Sequence, residues 1–135
     1  MSHMPLPFTF NQDAATEHQG PLNTKIEYTY HCARNFGTEG TIVVAGQASP
    51  EALQVIATKL YERECFLPKQ VGIDSLTPDE DSDEYVAELD HPLHKFEVFS
   101  LTEEAPTVLL TFEQLFETFQ GINSDFDWNF QKFGL

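Results

Sequence analysis

The sequence predicts a single α+β domain, a mostly antiparallel sheet of about four strands packed by two helices. Three observations carry that expectation. Residues Ile26–Cys32 and Thr41–Ala45 have strand patterns on either side of a glycine-bearing turn. Ser49-Pro50-Glu51 and Thr111-Phe112-Glu113-Gln114 are helix starts, each followed by apolar residues at helical spacing. The chain has 135 residues, 41% hydrophobic and including 12 Phe, enough for one core and too short for two ordinary domains.

In chain order, residues 1–4 (Met-Ser-His-Met) read as a tag scar ahead of a second start at Met4 and are set aside. Residues 5–21 carry three Pro and a Gly without periodicity and read as an irregular arm. Within the arm Leu6, Phe8 and Phe10 alternate, which suits a short strand added to a sheet edge. Residues 22–135 then form the domain. Ile26, Tyr28, Tyr30 and Cys32 alternate with Glu27, Thr29 and His31, giving a half-buried strand. Asn35-Phe36-Gly37-Thr38-Glu39-Gly40 supplies the turn, and Thr41–Ala45 returns from it as the second strand of a hairpin.

Ser49 as N-cap, Pro50 at the first helical position and Glu51 in the first turn open a helix whose buried face is Leu53, Ile56, Ala57 and Leu60. Its end is expected near Glu64, with Pro68 barring continuation. Residues 66–76 are too broken for a helix and read as an ordered loop pinned by Phe66, Val71, Ile73 and Leu76. Tyr85, Ala87 and Leu89 alternate among acids as a strand, and Phe96–Leu101 gives another. Thr111 and Gln114 form a capping box for a helix with Phe112, Leu115, Phe116 and Phe119 on one face, stopped by Gly121. Phe126, Phe130 and Phe133 are spaced for a short packed helix. The alternative for Trp128, Phe130 and Phe133 is an exposed aromatic anchor, for a partner or for a homodimer.

Charge narrows the function. Seven Lys+Arg against 22 Asp+Glu give a net charge of −15, which argues against direct binding of nucleic acid. No run of roughly 18 apolar residues suggests a membrane span, and no basic-then-apolar opening suggests a secretory signal, so a cytoplasmic setting is expected. Asp79, Glu80, Asp81, Asp83, Glu84, Glu88 and Asp90 crowd one stretch. Such a run is commonly a solvated loop; its sharper meaning is a negative patch for a basic protein, including a protein that itself binds nucleic acid. DNA carries about one charge per 1.7 Å of axis, so a rigid acidic surface can occupy a DNA-binding groove, as small anti-defence inhibitors do.

Chemistry-bearing constellations are sparse. His91 and His94 lie three apart beside Asp90, with Glu97 following, a pattern able to hold a divalent metal if a turn brings the imidazoles together; His31 is a third candidate. Otherwise no cofactor is implied. Asp79, Asp81, Asp83 and Asp90 have calcium-loop spacing, but Glu84 stands where that loop needs Gly. Cys32 and Cys65 form no CxxC pair and read as free buried thiols. Arg34 and Asn35 beside His31 are a polar cluster, more simply explained as turn residues bonding their own backbone. Nucleotide-binding glycine motifs and the serine-hydrolase elbow are missing, and no catalytic residue is singled out.

Tyr30-His31-Cys32-Ala33-Arg34-Asn35, the Phe-x-Pro-x-Gln-Val-Gly-x-x-x-Leu segment Phe66–Leu76 and Asp90-His91-Pro92-Leu93-His94 together resemble a set of small bacterial proteins of unassigned function. The resemblance spans roughly Ile26–Phe119 and departs at Leu93, where the family has Trp. It implies a bacterial, cytoplasmic protein and no particular activity. The expectation is a small acidic interaction module for a basic partner. A metal-binding protein or metal-assisted enzyme at His91 and His94, and a homodimeric structural protein, are the alternatives.

Overall fold

A computed structural model describes residues 6–13, 20, 22–31, 37–74, 76, 93–123 and 127–128. The described strands are β1 (Thr9–Asn11), β2 (Asn23–His31), β3 (Gly37–Val44), β4 (Cys65–Phe66) and β5 (His94–Thr102). The helices are α1 (Pro50–Lys59) and α2 (Phe112–Gln120). The architecture is the expected α+β domain, with five strands among the described residues where the sequence suggests about four in all. The strand expected at Tyr85–Leu89 lies outside the described residues, as does most of the C-terminal helix expected around Phe126–Phe133.

β5 is the centre of the sheet. One side pairs antiparallel with β2, which pairs antiparallel with β3. The other side takes β4 at His94 and Lys95 and β1, in parallel, at Val98–Ser100. The alternating arm residues therefore do add a strand: Phe10 lies opposite Phe99, and Phe8 is buried against the Phe96 and Phe99 rings. Phe10 alone would gain little, but joining the central strand lets Phe8 bury most of its ring.

The sheet has two unlike faces. The inner face carries Thr24, Ile26, Tyr28, Ile42, Val44, Phe96, Phe99 and Leu101, all buried. The outer face carries mainly polar side chains at the intervening positions, with Val43 and Val98 among them, as expected when one face of an antiparallel sheet largely meets water. A β-bulge breaks the alternation in β5. Glu27 pairs with Val98 but Tyr28 pairs with Phe96, leaving Glu97 without an opposite number. Phe96 and Phe99, three residues apart, thus both point inward while Glu97 turns outward.

The two helices cover the inner face. Ser49 caps α1 by accepting the Ala52 N–H at 3.2 Å, and Thr111 and Gln114 close the capping box of α2. α1 stops at Lys59 rather than near Glu64. Leu60 turns extended, and Glu62 and Arg63 adopt positive φ in a reverse turn, closed by the Glu64 N–H to the Tyr61 carbonyl, that delivers Cys65 to β4. The core between the layers is aromatic, with Phe66 stacked on Phe96 at 4.0 Å and Phe119 edge-on to Trp128. The pinned loop is as expected: Phe66, Val71 and Ile73 are buried, with a 3₁₀ turn over Pro68–Val71 ended by Gly72 at φ 83°.

Candidate functional site

Alternation along β2 sends Glu27 and Thr29 outward, opposite to Ile26 and Tyr28. Pairing with β3 sets Thr41 across from Glu27 and Glu39 across from Thr29. Glu27 and Glu39 are then diagonal neighbours, a relation that separates residues by roughly 7–8 Å. From the other side the β5 bulge turns Glu97 over β2, where its Oε1 accepts the Thr29 hydroxyl at 2.9 Å. The result is a half-open groove of about 360 Å³ across the outer face, lined by Glu27, Glu39, Glu97, Thr29, Thr41 and Val98.

Among the described residues no lysine or arginine lines this groove. Two lysines stand at its ends on the same face, and each is drawn elsewhere. Lys25 is hydrogen-bonded to Glu104 at 3.1 Å, and Lys95 lies 3.8 Å from Glu64. Lys25, helped by the Thr102 hydroxyl, holds the Glu104 carboxyl below its usual range. A single exposed ion pair contributes under about 1 kcal/mol, so these carboxylates matter as a group. They fall within about one Debye length at physiological salt, so a cation entering the groove feels their summed field.

The chemistry suits attraction of positive charge more than bond-making. Among the described residues no three His, Cys, Asp or Glu side chains are grouped to hold a metal ion. Cys65 is a free, half-buried thiol whose pKa is pushed up, chiefly by burial and with a contribution from nearby acids, against the opposing effect of Lys95. A thiol held protonated is a poor nucleophile.

The residues singled out by sequence fall in different places. Asp79, Glu80, Asp81, Asp83, Glu84, Glu88, Asp90, His91, Phe130 and Phe133 lie outside the described residues, as do Cys32, Arg34 and Asn35. His94 is described and 1% exposed, packed beside the rings of Tyr28, Tyr30 and Phe66. Its Nε2 accepts the Leu76 N–H at 2.9 Å, so that lone pair is engaged by the backbone and a metal would have to be met through Nδ1. Trp128 is not presented as an exposed anchor: it is 3% exposed, and its indole N–H donates to the Lys59 carbonyl at 3.0 Å. That bond satisfies one of the carbonyls left open at the end of α1, which fixes the ring in the core.

Sequence reasoning overlooked Glu27 and Glu39 and noticed Glu97 only as a neighbour of the histidines. The alternation in Ile26–Cys32 already places Glu27 outward. The meeting of all three depends on β2 lying between β3 and β5 and on the bulge, neither of which is written locally. Compared with models of known protein families, curated protein sequences and solved structures, the chain matches none.

Proposed function

We propose that this protein is a small acidic interaction module that acts by binding rather than by catalysis, and that its partner is a basic protein. The observation that carries the reading is the groove on the outer sheet face: Glu27, Glu39 and Glu97 gather there with no cation beside them among the described residues, while Lys25 and Lys95 pair with other carboxylates. The net charge of −15 makes the long-range field negative as well, which steers basic partners and repels nucleic acid. The acidic stretch Asp79–Asp90 adds to the same field. It begins three residues after Leu76, whose side chain fills the space over Gly40 of β3.

The most concrete form of this reading is an inhibitor that offers carboxylates in place of phosphates to a nucleic-acid-binding protein, as anti-defence proteins do. Its setting, on the resemblance to small bacterial proteins, is the bacterial cytoplasm. No helix among the described residues is long and apolar enough to cross a membrane.

The test is affinity capture from a bacterial lysate at low and high salt, comparing the parent with Glu27→Gln/Glu39→Gln/Glu97→Gln and with Asp81→Asn/Asp83→Asn/Glu84→Gln. A basic protein retained at low salt, released at high salt and lost by the sheet-face variant is expected. Capture that ignores salt and both variants overturns the reading.

A further inference from the structure

We propose that the free edge of β3 at Glu39–Thr41 takes up an extended, lysine- or arginine-bearing segment of the partner as an added strand. This deepens the reading above and rests on it, since it assumes that the partner is basic. The first observation is the direction of the backbone. The Val43 N–H donates to Thr107 Oγ1 at 2.9 Å, and the Val43 carbonyl accepts the Thr107 N–H at 2.9 Å. The Val43 backbone groups therefore point away from β2. In an antiparallel ladder such groups alternate in direction at each residue, so those of Thr41 and Glu39 point off the same edge.

The second observation is where the cover stops. Thr107 takes the groups of Val43, and the Phe112 N–H takes the Ala45 carbonyl at 2.8 Å. Among the described residues nothing takes those of Thr41 and Glu39. Among the described residues two successive outward N–H and C=O pairs are thus open, a template for strand addition.

Charge selects the occupant. A second copy of this chain would bring Glu39 and a net charge of −15 against the same groups, and like charges across a strand pair are unfavourable. An added strand lies roughly 4.8 Å from β3. A Lys or Arg on its outer side stands beside Glu39 and leans over the groove toward Glu27. On the inner side Gly40 has no side chain and Leu76 sits over it, so small residues suit the incoming strand there. The partner segment is thus one in which basic and small residues alternate.

The experiment uses the full chain and a short blocked peptide alternating Lys and Thr, with the same peptide N-methylated at every backbone nitrogen, and so of equal charge, as control. Methylation removes the amide hydrogens that a ladder requires, whichever way the added strand runs. The Lys–Thr peptide is expected to bind roughly tenfold more tightly and to protect the Glu39 and Thr41 amides from hydrogen exchange. Thr41→Pro deletes one outward N–H without touching the β2–β3 ladder and should erase the difference between the peptides. If that variant fails to fold, exchange protection in the unaltered chain decides by itself. Equal binding of both peptides without protection, still lost on Glu27→Gln/Glu39→Gln/Glu97→Gln, overturns strand addition and leaves the acidic-face reading standing. Binding indifferent to the three glutamates overturns both.

Discussion

His94 Nε2 accepts the backbone N–H of Leu76 at 2.9 Å. A buried ring on the central strand thereby holds the residue that covers Gly40 on the edge hairpin. Replacing it with alanine leaves that N–H without a partner and opens a cavity beside Tyr28, Tyr30 and Phe66. His94→Ala should cost roughly 2–4 kcal/mol in urea unfolding. A loss under about 0.5 kcal/mol, the usual effect of a surface change, would show that the ring does not carry this junction.

Gly40 is required by close approach. A Cβ there would lie 2.8 Å from Leu76 Cδ2 and 2.9 Å from Tyr28 Cζ. The leucine tip can yield, but the Tyr28 ring is tied down by its hydroxyl, which donates to the Asp74 carbonyl at 2.8 Å. Gly40→Ala should therefore destabilise by about 1–3 kcal/mol, read as a lowered Tm.

Tyr28 sets an alkaline limit. Burial, with a smaller contribution from the Asp74 charge, pushes its phenol up to about 12. The unfolded chain gives up this proton near the ordinary value of 10.0 and the folded chain does not. The contribution is whole below that pH and is lost as pH rises through about 12, a change on the order of 2 kcal/mol. Tyr28→Phe should flatten this part of the stability-versus-pH curve. It should also cost about 1 kcal/mol at neutral pH, for the lost hydrogen bond.

Lys25 is the switchable neighbour of the groove. Its hydrogen bond lowers the Glu104 pKa, so that pair's contribution is present above the ordinary carboxylate range and lost as pH falls through the lowered value. Lys25→Met should return the Glu104 midpoint toward the ordinary range in an NMR titration. Both groups keep contact with solvent, 35% of the Lys25 side chain and 56% of the Glu104 side chain being exposed, so stability should barely change.

How much of this was legible depends on how local each feature is. The hairpin and both helix starts follow from residues adjacent in sequence and are present, but Gly37–Gly40, expected in the turn, open β3, and Phe66, expected to begin the pinned loop, closes β4. The end of α1 was misplaced because Glu62 and Arg63 take positive φ, a conformation that neither residue advertises. Trp128 was legible as a contact residue, but its cap on Lys59 links positions 69 apart. The groove needs three strands and a bulge to assemble, so its acids looked scattered beside the conspicuous run at Asp79–Asp90. Composition pointed to charge, and topology gathered it on the outer sheet face.

The most direct measurement of the central claim is calorimetric titration of a cationic partner, as a function of salt, into the parent chain and into Glu27→Gln/Glu39→Gln/Glu97→Gln. The account predicts at least about tenfold weaker binding of the variant at low salt, with a shallower salt dependence. Equal affinity and an equal salt slope for both chains would contradict it.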